Sequence, residues 1–137
     1  MNNKKLIILI LFLISSKIYG NKLDFSKLVY PDVGKAISRL ETGNYTSHLY
    51  KVHNNLFGMK VGRYGKVNGK TKGGYAKYKN KTLSIADYAA YEKQLIRKYH
   101  ITSQKQYIII VSKKYAKNPH YKKLLRKQLN YTLNRNS

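Results

Sequence analysis

The chain contains no cysteine, so no disulfide bond can hold its fold together. Small exported domains commonly rely on such crosslinks, and a domain without them depends on the packing of an apolar core. At 137 residues the chain has the length of one domain, and no internal repeat divides it. We therefore expect a single core, built from the apolar faces of its secondary-structure elements.

The first twenty residues have the pattern of a secretory signal segment. Lys4 and Lys5 supply positive charge, residues 6–14 form an apolar run, and small residues follow up to Gly20. This apolar run of nine residues is shorter than the roughly 20 that a membrane-spanning helix needs. We expect cleavage after Gly20 and a location outside the cell or in the cell envelope. An uncleaved N-terminal anchor is the alternative. Residues 21–137 would then form the functional domain.

Positive charge dominates the rest of the chain. The whole sequence has 28 lysine and arginine residues against five acidic residues. Without the three lysines of the signal segment, the net charge is +20. A field of this sign attracts polyanions, which are nucleic acids inside a cell and wall polymers or membrane surfaces outside it. The signal segment favours an anionic cell-wall polymer as the partner and argues against nucleic acid.

The first helix is predicted over residues 31–42. Pro31 suits the first turn of a helix, and apolar residues recur from 33 to 40 at the i, i+3, i+4, i+7 spacing of one helical face. A Gly-Asn pair at 43–44 ends the pattern. Glu41 therefore lies in the last turn, at the margin of the buried face.

The middle of the chain predicts loops and a small β-structure. Residues 44–60 are typical of loop and turn, and the glycine-rich residues 61–82 contain two short alternating stretches. Such a pattern indicates a β-hairpin with a long, basic tip. Ser84, followed three positions later by Asp87, forms a capping-box pattern that predicts the start of a second helix.

The C-terminal third is helical in part. Residues 107–111 (YIIIV) are ambiguous, because β-branched residues favour a strand whereas the flanks at 104–114 are long enough for a buried helix. Asn118 and Pro119 predict the start of a final helix. Its inner face would carry Tyr121, Leu124, Leu125 and Leu129.

The sequence offers no motif for a cofactor. Residues 65–71 resemble a phosphate-binding loop, but Tyr64 stands where the first glycine is required, and the strand and helix that flank such a loop are missing. The histidines at 48, 53, 100 and 120 lack the spacing of a metal site. We therefore expect no cofactor and no bound metal.

The carboxylates are scarce enough to be assigned one by one. Asp32 and Asp87 suit helix starts, and Asp24 precedes the first helix. Glu92 falls on the apolar stripe of its helix, where a neighbouring lysine or tyrosine would satisfy it. Glu41 is left, and desolvation beside an apolar face raises the pKa of a carboxyl, as a general acid for glycosidic cleavage requires. The alternative is a solvated glutamate at a helix end, with no catalytic function.

Four motifs together resemble those of one enzyme family. Residues 40–45 (LETGNY) are similar to the helix end that carries the catalytic glutamate in lysozyme-like glucosaminidases, glycoside hydrolase family 73. Residues 54–60 (NNLFGMK) resemble the family's NNLFGIK signature, and residues 75–88 resemble its aromatic strand and its S-x-x-D-Y helix start. Residues 115–124 (YAKNPHYKKL) resemble its YATDPxYxxKL segment. The motifs occur in the family's order.

The resemblance implies an α+β, lysozyme-like fold with a mostly helical lobe, a small β-hairpin lobe and a cleft between them. It also implies that residues 104–114 are helical. The expected activity is hydrolysis of β-1,4 bonds after N-acetylglucosamine in peptidoglycan glycan strands, by a monomer with Glu41 as the catalytic acid. The residues expected at the substrate are Asn54, Asn55, Phe57, Tyr78, Tyr115 and Tyr121. Core packing is the alternative role for Phe57 and Tyr115.

The sequence departs from the family in its acids. Many family members carry a second acid on the β lobe, whereas residues 42–86 contain neither Asp nor Glu. Hydrolysis by two carboxylates needs them about 5–9.5 Å apart. The substrate's 2-acetamido oxygen or a water positioned by tyrosines could replace the second acid, and a lytic transglycosylase-like reaction would form an anhydro sugar. An inactive, cationic wall-binding module on the same fold is the alternative function.

Overall fold

The computed structural model describes residues 22–61, 65, 67–115 and 117–135, and these form five helices. The expected signal segment lies outside the described residues. No helix in the described ranges is long and apolar enough to cross a membrane. The helices are α1 Pro31–Glu41, α2 His48–His53, α3 Lys81–Tyr99, α4 Gln104–Tyr115 and α5 Tyr121–Asn134.

Helix α1 confirms the prediction from the apolar spacing. Pro31 occupies its first turn, and Thr42 is the residue that caps its C-terminal end. The apolar face packs against α5, and α5 contacts α4, which in turn contacts α3. Burying this stripe stabilises α1 far more than the helix propensity of its residues does. The fully buried side chains of the stripe are Val33, Ala36 and Ile37.

Aromatic residues form the centre of the core. The ring of Phe57 stacks on that of Tyr88, with centroids 4.0 Å apart, and Tyr30 stacks on Tyr107 at 4.9 Å. The buried hydroxyls of Tyr88 and Tyr107 are 2.7 Å apart and form a hydrogen bond with each other. Since an unpaired buried hydroxyl is costly, this pairing lets a core without tryptophan use tyrosine as its large residue.

Glu92 fixes the segment that precedes α1. Its buried carboxylate accepts hydrogen bonds from the backbone N–H groups of Val29, at 2.7 Å, and Tyr30, at 3.1 Å. Burial raises the pKa of Glu92, and these two backbone bonds lower it. The expectation that a lysine or tyrosine satisfies Glu92 is therefore wrong. Backbone donors perform that role because the lead-in segment runs across α3.

The second long helix, α3, begins before the predicted position. Its N-cap is Asn80, whose side-chain oxygen accepts a hydrogen bond from the N–H of Leu83 at 3.0 Å. Ser84 lies inside the helix, where its buried hydroxyl accepts a hydrogen bond from the N–H of Leu56. The capping-box prediction for Ser84 and Asp87 is wrong because both side chains turn towards other segments.

Other boundaries also differ from the sequence predictions. The stretch 44–60 contains the short helix α2, which Ser47 caps by accepting a hydrogen bond from the N–H of Tyr50. Helix α4 confirms the helical interpretation of residues 104–114. Helix α5 begins at Tyr121, two residues after Pro119, and Leu124 is 43% exposed rather than part of the inner face.

The expected β-hairpin lobe is not shown. Among the described residues, antiparallel pairing is limited to two isolated bridges, between Lys60 and Tyr75 and between Lys70 and Ala76. Gly69 and Gly74 have φ values of +107° and +79°, which interrupt the extended backbone that a regular ladder requires. The segment is therefore an irregular loop, and the described fold is mostly helical.

Candidate active site

A cavity of about 580 Å³ opens beside the C-terminal end of α1. Its walls come from four parts of the chain: the end of α1, the irregular loop, the middle of α3 and the end of α4. The lining residues are Glu41, Gly58, Met59, Lys60, Val61, Tyr75, Tyr91, Lys114 and Tyr115.

Glu41 is the carboxylate of this cavity. It is the last residue of α1, and its side chain is half-buried. Burial raises the pKa of Glu41, while a hydrogen bond from the Tyr121 hydroxyl to Oε1, 2.8 Å long, lowers it in part. The desolvation expected from its position in the sequence is thus present, and the carboxyl holds its proton to a higher pH than a free glutamic acid.

The end of α1 is held in place by its neighbours in the sequence. The Thr42 hydroxyl donates to the carbonyl of Ser38 at 2.6 Å and accepts from the N–H of Tyr45 at 2.9 Å. Gly43, with φ at +55°, then takes the chain out of the helix in the left-handed region. These local bonds fix the backbone from which Glu41 extends.

Gly58 lets the loop backbone approach Glu41 closely. Its φ is +62°, and a Cβ atom added there would lie 3.1 Å from Oε2 of Glu41. Both the conformation and the approach favour glycine at this position. Because Tyr121 occupies Oε1, Oε2 is the oxygen that is left on the Gly58 side of the carboxyl.

Two tyrosines support this arrangement. Tyr121 is the first residue of α5 and is only 6% exposed, so its hydroxyl reaches Glu41 from the protein interior. The ring of Tyr115 lies 6.2 Å from that of Tyr121 at an interplanar angle of 28°. The Tyr115 hydroxyl donates to the carbonyl of Phe57 and so joins α4 to the loop. Of the predicted substrate residues, Tyr115 lines the cavity, and Tyr121 lies behind Glu41.

The predicted asparagines shape the loop. Asn54 lines a separate depression of about 420 Å³, and its amide donates to the carbonyl of Tyr78 at 3.0 Å. Asn55 is 1% exposed, and its amide donates to the carbonyls of Met59 and Ala76, both at 2.9 Å. Both side chains thus join the two halves of the irregular loop, and neither lines the cavity of Glu41.

Phe57 and Tyr78 are also buried. Phe57 is fully enclosed and stacks on Tyr88, in agreement with its alternative role in the core. The Tyr78 hydroxyl donates to Oδ2 of Asp87, and burial raises the pKa of both groups. This contact explains why Asp87 is unavailable to cap α3. The structure therefore gives Phe57 and Tyr78 a supporting position beneath the cavity wall.

Several lining residues were missed by sequence reasoning. Gly58 and Lys60 lie within the 54–60 motif, and their membership of that motif was the one local signal for them. Tyr75 lies in the aromatic stretch of the third motif. Tyr91 and Lys114 are ordinary residues in the middle and at the end of helices, and only the packing of α3 against α4 brings them to the cavity.

The remaining carboxylates lie elsewhere. All five acidic residues of the chain are within the described ranges, and Glu41 alone lines the cavity. Asp87 is bonded to Tyr78, Glu92 to the backbone before α1, and Asp24 to the N–H of Ser26, while Asp32 lies in the first turn of α1. In the described part of the chain no group of three His, Cys, Asp or Glu side chains could hold a metal ion.

Comparisons with known proteins agree with this geometry. Residues 21–133 match the family model named Glucosaminidase, described as mannosyl-glycoprotein endo-beta-N-acetylglucosaminidase. The fold is similar to the catalytic domain of the autolysin Auto from Listeria monocytogenes, with a TM-score of 0.55 and 21% identity, over 78% of this chain and 74% of the other. A comparison with curated protein sequences found no significant match.

Proposed function

We propose, since this chain belongs to the glucosaminidase family of glycoside hydrolases, that it cleaves the β-1,4 bond after N-acetylglucosamine in peptidoglycan with Glu41 as general acid. One observation carries this proposal. A half-buried carboxyl with a raised pKa lines a cavity of about 580 Å³ and is the single acid there. A carboxyl that keeps its proton near neutral pH is the group that protonates a leaving sugar.

The acid step assigns a different role to each oxygen of Glu41. The Tyr121 hydroxyl binds Oε1, so the proton is carried by Oε2, next to Gly58. As the bond between C1 and the bridging oxygen breaks, this proton moves to the bridging oxygen, which leaves as a hydroxyl of the next sugar. Glu41 is left ionised, and the hydrogen bond from Tyr121 stabilises that charge.

The second half of the reaction requires a group other than a carboxylate. The carbonyl oxygen of the substrate's own 2-acetamido group attacks C1, and water then opens the resulting ring and returns a proton to Glu41. Tyr75 and Tyr91, on the cavity wall, would position that water. The scarcity of acids supports this route, because Asp24, Asp32, Asp87 and Glu92 all lie away from the cavity.

The setting that we propose is the cell envelope. Residues 1–20 would direct export, and the net charge of +20 on the rest of the chain would attract the protein, as a monomer, to anionic wall polymers. Charge in this proposal supplies retention on the wall, and Glu41 supplies chemistry.

The test of the catalytic proposal is Glu41→Gln. Glutamine keeps the shape of the side chain but donates no acidic proton, so clearing of purified sacculi should fall by about 10²–10⁴-fold. Asp32→Asn, on the first turn of the same helix, is the matched control and should clear sacculi normally. Clearing by Glu41→Gln at the native rate would refute the role of Glu41.

Folding of this variant is checked by its thermal stability. The pKa of Glu41 is higher in the folded state, so the fold loses stability as pH rises from the unfolded pKa through the folded one. Replacing the carboxyl with an amide removes that loss, and Glu41→Gln should melt no lower than the native protein at pH 7.

Two other functions remain within the same fold, and the absence of a second acid at the cavity favours testing both. A wall-binding module would bind sacculi and release nothing. A lytic transglycosylase-like enzyme would release fragments ending in anhydro-muramic acid. Mass spectrometry of released fragments separates these outcomes, because the proposed hydrolase yields reducing N-acetylglucosamine ends.

A further inference from the structure

Two lysines share the cavity with Glu41. Lys60 lies on the irregular loop, where it pairs with Tyr75, and Lys114 lies in the last turn of α4. Both side chains are exposed, so solvent and a bound substrate can reach them. A cavity built only to hold uncharged sugars would have no need of cationic groups at this place.

Aromatic rings hold both ammonium groups. The Nζ atom of Lys60 lies 5.3 Å from the ring centroid of Tyr75, and that of Lys114 lies 5.4 Å from the ring centroid of Tyr99. Lys114 also forms a hydrogen bond with the Tyr99 hydroxyl, and this bond lowers the pKa of Tyr99. Contacts of this kind restrict two otherwise flexible side chains, so less entropy is lost when they bind a ligand.

Neither lysine is neutralised by an acid of the chain. Within the described ranges, the side-chain bonds of Glu41, Asp87 and Glu92 run to Tyr121, Tyr78 and the backbone before α1. The pKa of Glu41 is set by burial and by Tyr121. The two positive charges at the cavity are therefore available to an anionic ligand.

We infer that Lys60 and Lys114 bind carboxylates carried by the glycan strand near the scissile bond, so that the cavity selects an anionic strand over a neutral one. This inference rests on the proposed function. An ammonium group is a compact charge with three donors, which suits a carboxylate whose exact angle varies from one strand to another. The carboxylates come from the peptide stems of the strand or, where stems are absent, from its lactyl groups.

The experiment compares strands that differ only in charge. Soluble peptidoglycan strands are prepared with peptides, without peptides, and with their carboxyl groups converted to neutral amides. Dissociation constants are measured by fluorescence anisotropy in the Glu41→Gln background, which does not cleave the strand. Exposed ion pairs are modest, so Lys60→Gln and Lys114→Gln should each weaken binding of native strands by about two- to fivefold. Binding of amidated strands should not change.

Matched controls separate this effect from general attraction by charge. Lys105→Gln with Lys123→Gln removes the same two charges from exposed positions on α4 and α5 that do not line the cavity. An equal loss with this control pair would overturn the inference, as would an equal loss on amidated strands or no binding of either strand. A preference retained on peptide-free strands would assign the lactyl carboxylate, and one lost there would assign the stem.

Cleavage is then measured with Glu41 restored. The lysine variants should raise KM on native strands and leave kcat nearly unchanged. If the native protein binds strands in a charge-selective way but releases no products, the proposed hydrolysis fails while the inference about the two lysines stands.

Discussion

Glu41 is subject to two opposing influences from its surroundings. Burial removes water from the carboxyl and raises its pKa, whereas the hydroxyl of Tyr121 stabilises the charged form and lowers it. A general acid must hold its proton at the working pH and release it during the reaction. The tyrosine thus limits a shift that burial alone would make larger.

Replacing Tyr121 with Phe should move the pH dependence of cleavage. The variant keeps the buried ring but loses the hydrogen bond that lowers the pKa of Glu41, so that pKa should rise further. Since activity falls as pH rises through the pKa of the acid, the alkaline limb of kcat/KM should shift to higher pH. The measurement is a pH profile of the release of reducing ends.

A control on the same helix tests whether the shift is specific. Tyr131→Phe removes a hydroxyl that accepts a hydrogen bond from Arg135 and has no contact with Glu41, so its alkaline limb should match that of the native protein. An unmoved limb in Tyr121→Phe would show that the phenol does not tune the acid.

The residues that sequence reasoning identified are those whose role is local. Glu41 could be placed at a helix end because the apolar spacing of α1 and the Gly-Asn stop are adjacent to it. Its partner Tyr121 is 80 positions away, and nothing in the sequence pairs the two. The partner of Glu92 was wrong for the same reason, because the bonded N–H groups are 62 and 63 positions away.

Elements whose boundaries depend on tertiary contacts were predicted less well than those with strong periodicity. Helix α1 has a clear stripe and was predicted within one residue, whereas α2 has six residues and none of them is buried. The hairpin failed because left-handed glycines and side-chain bonds from Asn55 replace the regular ladder. Both features depend on neighbours that are distant in sequence.

The start of α3 can be tested with two alanine substitutions. Asn80→Ala removes the side chain that caps Leu83 and should lower the free energy of unfolding by about 0.5–2 kcal/mol. Ser84→Ala leaves the buried N–H of Leu56 without its acceptor, which should cost about 1–3 kcal/mol. Urea denaturation followed by circular dichroism measures both.

The two variants should differ in their effect on the site. Ser84 supports the 54–60 loop that carries Gly58, so Ser84→Ala should also slow cleavage, whereas Asn80→Ala should not. A large loss of stability in neither variant would contradict the position of the helix start.

At the scale of the whole molecule, the cavity is a product of packing between distant segments. Its lining residues run from Glu41 to Tyr115, and they meet only when α1, α3 and α4 close around the loop. The core that holds them is small and contains no disulfide. The four motifs predicted which stretches take part, but they could not show that Asn55, Phe57 and Tyr78 face inwards.

Net charge is the other property of the whole molecule, and it predicts how retention on cell wall should depend on salt. A charge of +20 on residues 21–137 attracts anionic polymers over a distance set by screening, which is about 10 Å at 0.1 M salt and about 3 Å at 1 M. Sedimentation of Glu41→Gln with purified sacculi should therefore show retention that falls steeply between these concentrations. Sacculi stripped of anionic wall polymers should retain less protein at low salt and approach the same level at high salt. Retention that does not respond to salt would instead indicate stacking and hydrogen bonds to the glycan as the source of binding.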